Sequence, residues 1–234
     1  GGWNDKKIVG NVGVTVYDGV INASMGASYG ASSDHIVTGN SNNIVYGGDF
    51  SGTPREGTNG FSGGITNVGS LLGNANLTID LRNYNREFKL PSGTSISGGV
   101  PYNGTTNLGT DDSNTITLNI YTKPGSDVLN GAAIYGDGAR TSSYTKSGKI
   151  IMNIQATGSS IGNLYATNYG NAPTTGLLRD VEINLQGAKT INGLSGGNAT
   201  DSFTNTIVSK NAQKVVINIG KNVDRSEERR VGKE

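Results

Sequence analysis

Ile150-Ile151-Met152-Asn153-Ile154 and Val181-Glu182-Ile183-Asn184-Leu185 decide the fold of this chain, because they are two copies of one strand. Each places large apolar residues at its first, third and fifth positions and Asn at its fourth. A strand has a period of two, so those residues share one dry face while the others face water. Three more copies flank them: Leu77-Thr78-Ile79-Asp80-Leu81, Ile116-Thr117-Leu118-Asn119-Ile120 and Val215-Val216-Ile217-Asn218-Ile219. Their fourth positions, Asp80, Asn119, Asn153, Asn184 and Asn218, are 39, 34, 31 and 34 residues apart. Val14-Thr15-Val16-Tyr17 fits the template 63 residues before Asp80, and Asn43-Ile44-Val45-Tyr46 is a degenerate copy between them.

A second element follows the first within each period. Met25-Gly26-Ala27, Val45-Tyr46-Gly47-Gly48, Ile134-Tyr135-Gly136-Asp137-Gly138, Leu164-Tyr165-Ala166-Thr167 and Leu194-Ser195-Gly196-Gly197 share an apolar residue, often Tyr next, then a small residue. Another apolar position, Ile21, Val128, Ile161 or Ile191, stands just ahead. Each period reads as strand, turn, strand, small-residue corner and a variable stretch.

One such unit cannot bury its own apolar row. Stacking equivalent strands about 4.8 Å apart lines the rows into a continuous core, which is the logic of a solenoid. The expectation is an all-β parallel solenoid, a β-helix with right-handed crossovers, of roughly six coils of 31–39 residues. Its core rows are Ile79 and Leu81, Leu118 and Ile120, Met152 and Ile154, Ile183 and Leu185, Ile217 and Ile219. An antiparallel sandwich also has short strands and Gly-rich turns, but it gives no reason for consecutive units to look alike.

Lys149-Ile150-Ile151-Met152-Asn153-Ile154 through Ile161-Gly162-Asn163-Leu164-Tyr165 resembles the parallel β-helix repeats of bacterial surface adhesins and autotransporter passenger domains. The resemblance spans approximately residues 12 to 220. It implies an exported protein, extracellular or held at the bacterial cell surface. Residues 12–224 are taken as the repeat domain and 1–11 as a truncated lead-in. The charged tail 225–234 breaks composition and resembles translated adaptor sequence.

Composition narrows the chemistry. Gly supplies 37 residues, Cys none, and His35 is the single histidine. Disulfides, thiolate metal sites and multi-histidine metal sites are thereby excluded, and no cofactor or metal is expected. Nineteen basic against 18 acidic residues give a net charge of +1, which provides no field for nucleic acid. No apolar run reaches the length of a membrane span.

Candidate sites follow from alternation. If the apolar rows point inward, Asp80, Asn119, Asn153, Asn184 and Asn218 form an outer strip whose amides can bond along the axis as a structural ladder. A glycan-binding strip is the sharper alternative. Tyr46, Tyr135 and Tyr165 should face outward beside Gly-rich corners, where flat rings can stack on sugars; Tyr29, Tyr102 and Tyr169 lie in neighbouring loops. The bland reading is that these rings cover loops. For acid/base chemistry the available acids are Asp137 near Arg140, Asp180 and Glu182 near Arg179, and Asp111-Asp112, and none recurs in register on a second coil. Solvated acids explain them better. Asp34-His35 beside Ser32 and Ser33 lacks a nucleophile elbow, and the Gly-Gly-Asp stretches do not tile as calcium-binding repeats. The expected role is adhesion or display without catalysis, with glycans or matrix proteins as partners and recognition carried by loops 53–62 and 101–113. A carbohydrate-active β-helix enzyme and a passive stalk are the alternatives.

Overall fold

The computed structural model describes residues 7–21, 24–25, 29–30, 36–52, 60–64, 66–91, 94–99, 105–108, 115–136, 149–166, 179–196 and 212–220. Strands are numbered β1 to β18 in chain order. A first wall holds β2 (Val12–Val16), β6 (Ser41–Val45), β9 (Ala75–Asp80), β12 (Thr115–Tyr121), β14 (Lys149–Gln155), β16 (Arg179–Gln186) and β18 (Ala212–Ile219), stacked in that order. A second wall stacks β3 (Ser24–Met25), β7 (Gly60–Ser62), β10 (Ser95–Ser97), β13 (Ala132–Tyr135), β15 (Ser160–Tyr165) and β17 (Thr190–Ser195). A third stacks β1 (Lys7–Ile8), β5 (Ile36–Val37), β8 (Thr66–Leu71) and β11 (Thr105–Leu108), with β4 (Tyr29–Gly30) also on β8.

Every strand pair is parallel, and the chain visits first, second and third walls in turn. The molecule is an all-β parallel solenoid. Three turns are described on all three walls, the next three on two walls and β18 on the first wall alone, against the roughly six coils expected from the period. Pairing starts upstream of residue 12, at Lys7 with Ile36. The expected recognition loops contain wall strands instead, since Gly60–Ser62 is β7 and Thr105–Leu108 is β11. Residues 53–59, 101–104, 109–114 and 225–234 lie outside the described residues.

The core consists of straight apolar columns. From the first wall come Leu77, Leu118, Met152 and Ile183 in one column and Val45, Ile79, Ile120, Ile154 and Leu185 in the next, each at most 2% exposed. The second wall opposes them with Phe61, Ile96, Ile134 and Leu164. Period-two alternation makes this possible, because every inward residue of one rung lands on an inward residue of the next.

Two expectations are corrected here. Ile79 pairs with Ile120, and Leu77 is the residue under Leu118, so β9 is shifted by two residues from the expected register. A two-residue slip keeps the same face apolar, so alternation alone cannot detect it. Polar bonds at the strand start select the true register: the Thr115 N–H donates to Asn74 Oδ1 at 2.8 Å and Asn76 Nδ2 donates to Asn42 Oδ1 at 2.9 Å. Leu81 is still buried, just beyond the strand. Second, Ile217 lies over Ile183 as the core row requires, yet it is 37% exposed because β18 ends the stack of described rungs; Ile219 is half-buried for the same reason. The degenerate copy sits in the expected register: Asn43 occupies the inward column between Val14 and Leu77, where its amide donates to the Ser62 carbonyl at 3.0 Å.

Corners need small residues because coil sits on coil. A Cβ on Gly98 would meet the Gly136 carbonyl oxygen at 2.4 Å, and one on Gly136 would meet that of Ala166 at the same distance. Ile183→Ala should therefore cost about 2–5 kcal/mol in a fully packed column, whereas Ile217→Ala on the uncovered rung should cost less than about half as much. Urea unfolding of the two variants checks this, and equal losses would mean that the terminal rung is covered in solution.

Candidate functional site

The outer face of the first wall repeats the chemistry of the inner face, one residue per rung. Thr78, Asn119, Asn153, Asn184 and Asn218 form one outward column. Each Asn donates through Nδ2 to the residue one rung down: Asn218 to Asn184 at 2.7 Å, Asn184 to Asn153 at 2.9 Å, Asn153 to Asn119 at 2.9 Å and Asn119 to Thr78 Oγ1 at 3.1 Å. Asp80 is not in this ladder. Its register partner is Tyr121, so the expected fourth-position column holds Thr78 where Asp80 was expected.

A shorter ladder escaped the sequence reading. Backbone N–H groups of Asn40, Asn74 and Thr115 donate to Oδ1 of Asn11, Asn40 and Asn74 at 2.8, 2.9 and 2.8 Å. The signal was the recurring Gly-Asn at 10–11, 39–40 and 73–74. Gly is required there, since a Cβ on Gly39 would stand 2.3 Å from the Gly10 carbonyl.

The next outward column runs Tyr17, Tyr46, Asp80, Tyr121, Gln155, Gln186. Tyr17 and Tyr46 stack with ring centroids 5.4 Å apart and planes at 17°, and are 71% and 39% exposed. Arg82 closes a bidentate pair on Asp80, with bonds of 2.8 and 2.6 Å, and lays its guanidinium 4.5 Å from the centre of the Tyr121 ring. Ion pairing and cation–π contact thus share one side chain.

A strap from Arg82 to Leu90 braces the tyrosine pair. Tyr84 lies against Gly47, where a Cβ would meet its ring at 2.1 Å, and its hydroxyl donates to Asp18 at 2.8 Å. Arg86 pairs with Asp18, and Lys89 lies 3.3 Å from Asp49. Phe88 anchors the strap beneath, with its ring 5.6 Å from that of Phe50. Asp18 and Gly47 directly follow Tyr17 and Tyr46 in sequence, so the strap touches the residue next to each ring.

Above the strap the face opens into a shallow groove of about 290 Å³ lined by Tyr121, Asn153, Gln155, Asn184, Gln186 and Asn218, among others. The Asn amides along it are engaged in their ladder. Among the described residues the Gln155 and Gln186 side chains make no hydrogen bond, and both line the groove.

The other expected tyrosines divide. Tyr46 faces outward, but Tyr135 is 4% exposed and does not present its ring to solvent. Its neighbours in the column, Ser62 and Ser97, are fully buried too, so the outer side of the second wall is covered at these rungs and alternation there does not separate wet from dry. Tyr165 is half-buried, its ring centre 6.2 Å from that of Tyr135. Tyr29 lies in β4; Tyr102 and Tyr169 fall outside the described residues, as do Ser32, Ser33, Asp34, His35, Asp111, Asp112, Asp137 and Arg140.

Of the two remaining expected acids that the structure describes, Glu182 is paired. Glu182 accepts from Lys149 Nζ at 2.6 Å and from Asn184 at 3.0 Å, and the lysine hydrogen bond is the main cause holding its carboxyl below the ordinary range. A general acid at neutral pH needs the opposite shift. Asp180 is exposed, in register with Lys149 and Lys214. Among the described residues no three potential metal ligands cluster, and no helix is long and apolar enough to cross a membrane. No protein-family model matches this chain, nor does any curated protein or solved structure.

Asp80 also titrates below its ordinary value, chiefly through the Arg82 hydrogen bond, and Asp18 does so chiefly through that of Tyr84. A depressed folded-state pKa means that the unfolded chain binds more protons in acid. The stabilisation is fully present above the ordinary carboxylate pKa and fades as pH falls through the folded value. Asp80→Asn should flatten the fall in urea midpoint between about pH 5 and pH 2, while an unchanged acid limb would show that the Arg82 pair is open in solution.

Proposed function

We propose that this chain is a non-catalytic adhesion and display segment of a secreted or cell-surface bacterial protein, and that it binds glycans on the outer face of the first wall. The observation that carries the reading is the Tyr17 and Tyr46 stack, exposed and in line with Tyr121 and the unpaired Gln155 and Gln186 amides. Because the two rings stack on each other, a sugar meets their edges and the face of Tyr17 turned away from Tyr46, while the hydroxyls and neighbouring amides bond to sugar hydroxyls. The repeat resemblance supports the bacterial surface setting. A stiff stack of parallel rungs suits display, because each coil braces the next and tolerates inserted loops.

Matrix proteins are the other class of partner consistent with such a surface. A polysaccharide lyase or hydrolase of the β-helix type would need carboxylates free to move protons, and Glu182 is engaged by Lys149. A passive stalk would need none of the outward aromatic column.

A glycan array separates these readings. Tyr17→Ala with Tyr46→Ala should weaken the strongest array signals by roughly tenfold or more, as loss of an aromatic anchor does, with circular dichroism unchanged. Retained binding in the double variant would clear the two rings. Reducing-sugar release by the unaltered chain would replace adhesion with catalysis, and silence on glycan and matrix panels alike would leave a stalk.

A further inference from the structure

The outer face also constrains which glycan fits, an inference that rests on the glycan-binding reading above. We propose that the ligand is an extended, uncharged, β-1,4-linked polysaccharide lying along the solenoid axis at one sugar per rung, its upper part seated in the groove of Tyr121, Gln155 and Gln186.

Spacing comes first. The column Tyr17, Tyr46, Asp80, Tyr121, Gln155, Gln186 places one side chain on each rung, with the Asp80 rung closed by Arg82, which also lies on Tyr121, and rungs repeat at about 4.8 Å. An extended β-1,4-linked chain advances by nearly one sugar over that step. A coiled α-1,4 glucan advances by much less and loses register with the rungs. Only a linear ligand parallel to the axis meets the tyrosine pair and the groove together.

Polarity comes second. Each glutamine amide offers both donors and an acceptor, and a sugar hydroxyl is likewise both. Gln155 and Gln186 line the groove with no hydrogen bond to the described residues. Gly220 stands over Gln186, and its missing side chain leaves the upper end of the groove open. The Asn ladder beside them is tied to itself and supplies a flat wall.

Charge comes third. None of the residues lining the groove is ionisable apart from the Tyr121 phenol. The nearest guanidinium, Arg82, is spent on Asp80 through two bonds; of the lysines in register with Asp180 on this wall, Lys149 is bound to Glu182, and neither it nor Lys214 lines the groove. Acidic glycans are recognised by Arg or Lys directed at the carboxylate or sulfate, and no such group faces this groove.

Isothermal titration of the full chain with cellobiose, cellohexaose, maltohexaose and carboxymethylated cello-oligosaccharide tests the proposal. Cellohexaose should bind roughly tenfold or more tighter than cellobiose, and Gln155→Ala with Gln186→Ala should weaken cellohexaose by roughly tenfold. Equal affinity for the two cello-oligosaccharides, an equal gain with maltohexaose, or indifference to the glutamine variant would overturn the axial register. Tighter binding of the carboxymethylated chain would overturn the uncharged ligand. Array binding to other glycans with none to the cello series would sink this proposal alone, whereas silence on the array as well would remove the glycan-binding reading beneath it.

Discussion

Lateral stacking of apolar side chains between successive rungs governs everything else in this molecule. A single rung such as β14 exposes Ile150, Met152 and Ile154 on one face and has nothing of its own to bury them against. Covered by Ile116, Leu118 and Ile120 below and Val181, Ile183 and Leu185 above, the same three residues are 0–2% exposed. Burial of a large aliphatic side chain stabilises by about 1.5–3 kcal/mol, so each internal rung is held chiefly by its neighbours. Stability is then a sum of nearest-neighbour terms, and a terminal rung has only half of them. The exposure of Val215 and Ile217 in β18 is that deficit seen directly.

Regularity inside forces regularity outside. Because every inward residue lies over another, every outward residue does as well, and chemistry placed on one rung is offered again about 4.8 Å away. Where the repeated residue is Asn, neighbouring amides satisfy each other and the column becomes structural. In the next column Asp80 is tied to Arg82 and Tyr121 lies under the same guanidinium, whereas the Gln155 and Gln186 side chains make no hydrogen bond to the described residues. A linear array of like groups favours linear ligands, whose own repeat can match it over several rungs at once. Neither a deep pocket nor a cluster of titrating groups is needed for this.

How far the sequence could be read follows from the same physics. Alternation and period are visible in one chain, so parallel stacking and the inward placement of Leu118, Met152 and Ile183 were legible before any coordinates. Register is a different kind of information. Sliding β9 by two residues leaves its apolar face apolar, and side-chain bonds at Asn74, Asn76 and Thr78 distinguish the two alignments. The Gly-Asn corner ladder was present in the sequence as three dipeptides, yet its importance lies in backbone N–H groups that no pattern displays. Tyr135 was misread because alternation predicts which side of a strand a residue occupies and not whether that side is covered. Ser97 and Ser62, neighbours in its column, are buried alongside it.

Among the described residues the strap from Arg82 to Leu90 departs from repetition, and it does so next to the exposed Tyr17 and Tyr46 pair. Two tyrosines side by side on a strand surface lose rotamer freedom when a ligand stacks on them, and that ordering is charged against affinity. Tyr84 reduces the loss beforehand. It packs against Gly47, beside Tyr46, and its hydroxyl is bound to Asp18, beside Tyr17, with Arg86 on the other carboxylate oxygen. Phe88 roots this clamp in the core through Phe50, and Lys89 ties it to Asp49. A strand face therefore acquires a pre-ordered platform without any change to the stack beneath it, because the insertion leaves from a corner and returns to one. An irregular loop thus holds regular side chains still, and the residues from Arg82 to Leu90 do that for Tyr17 and Tyr46.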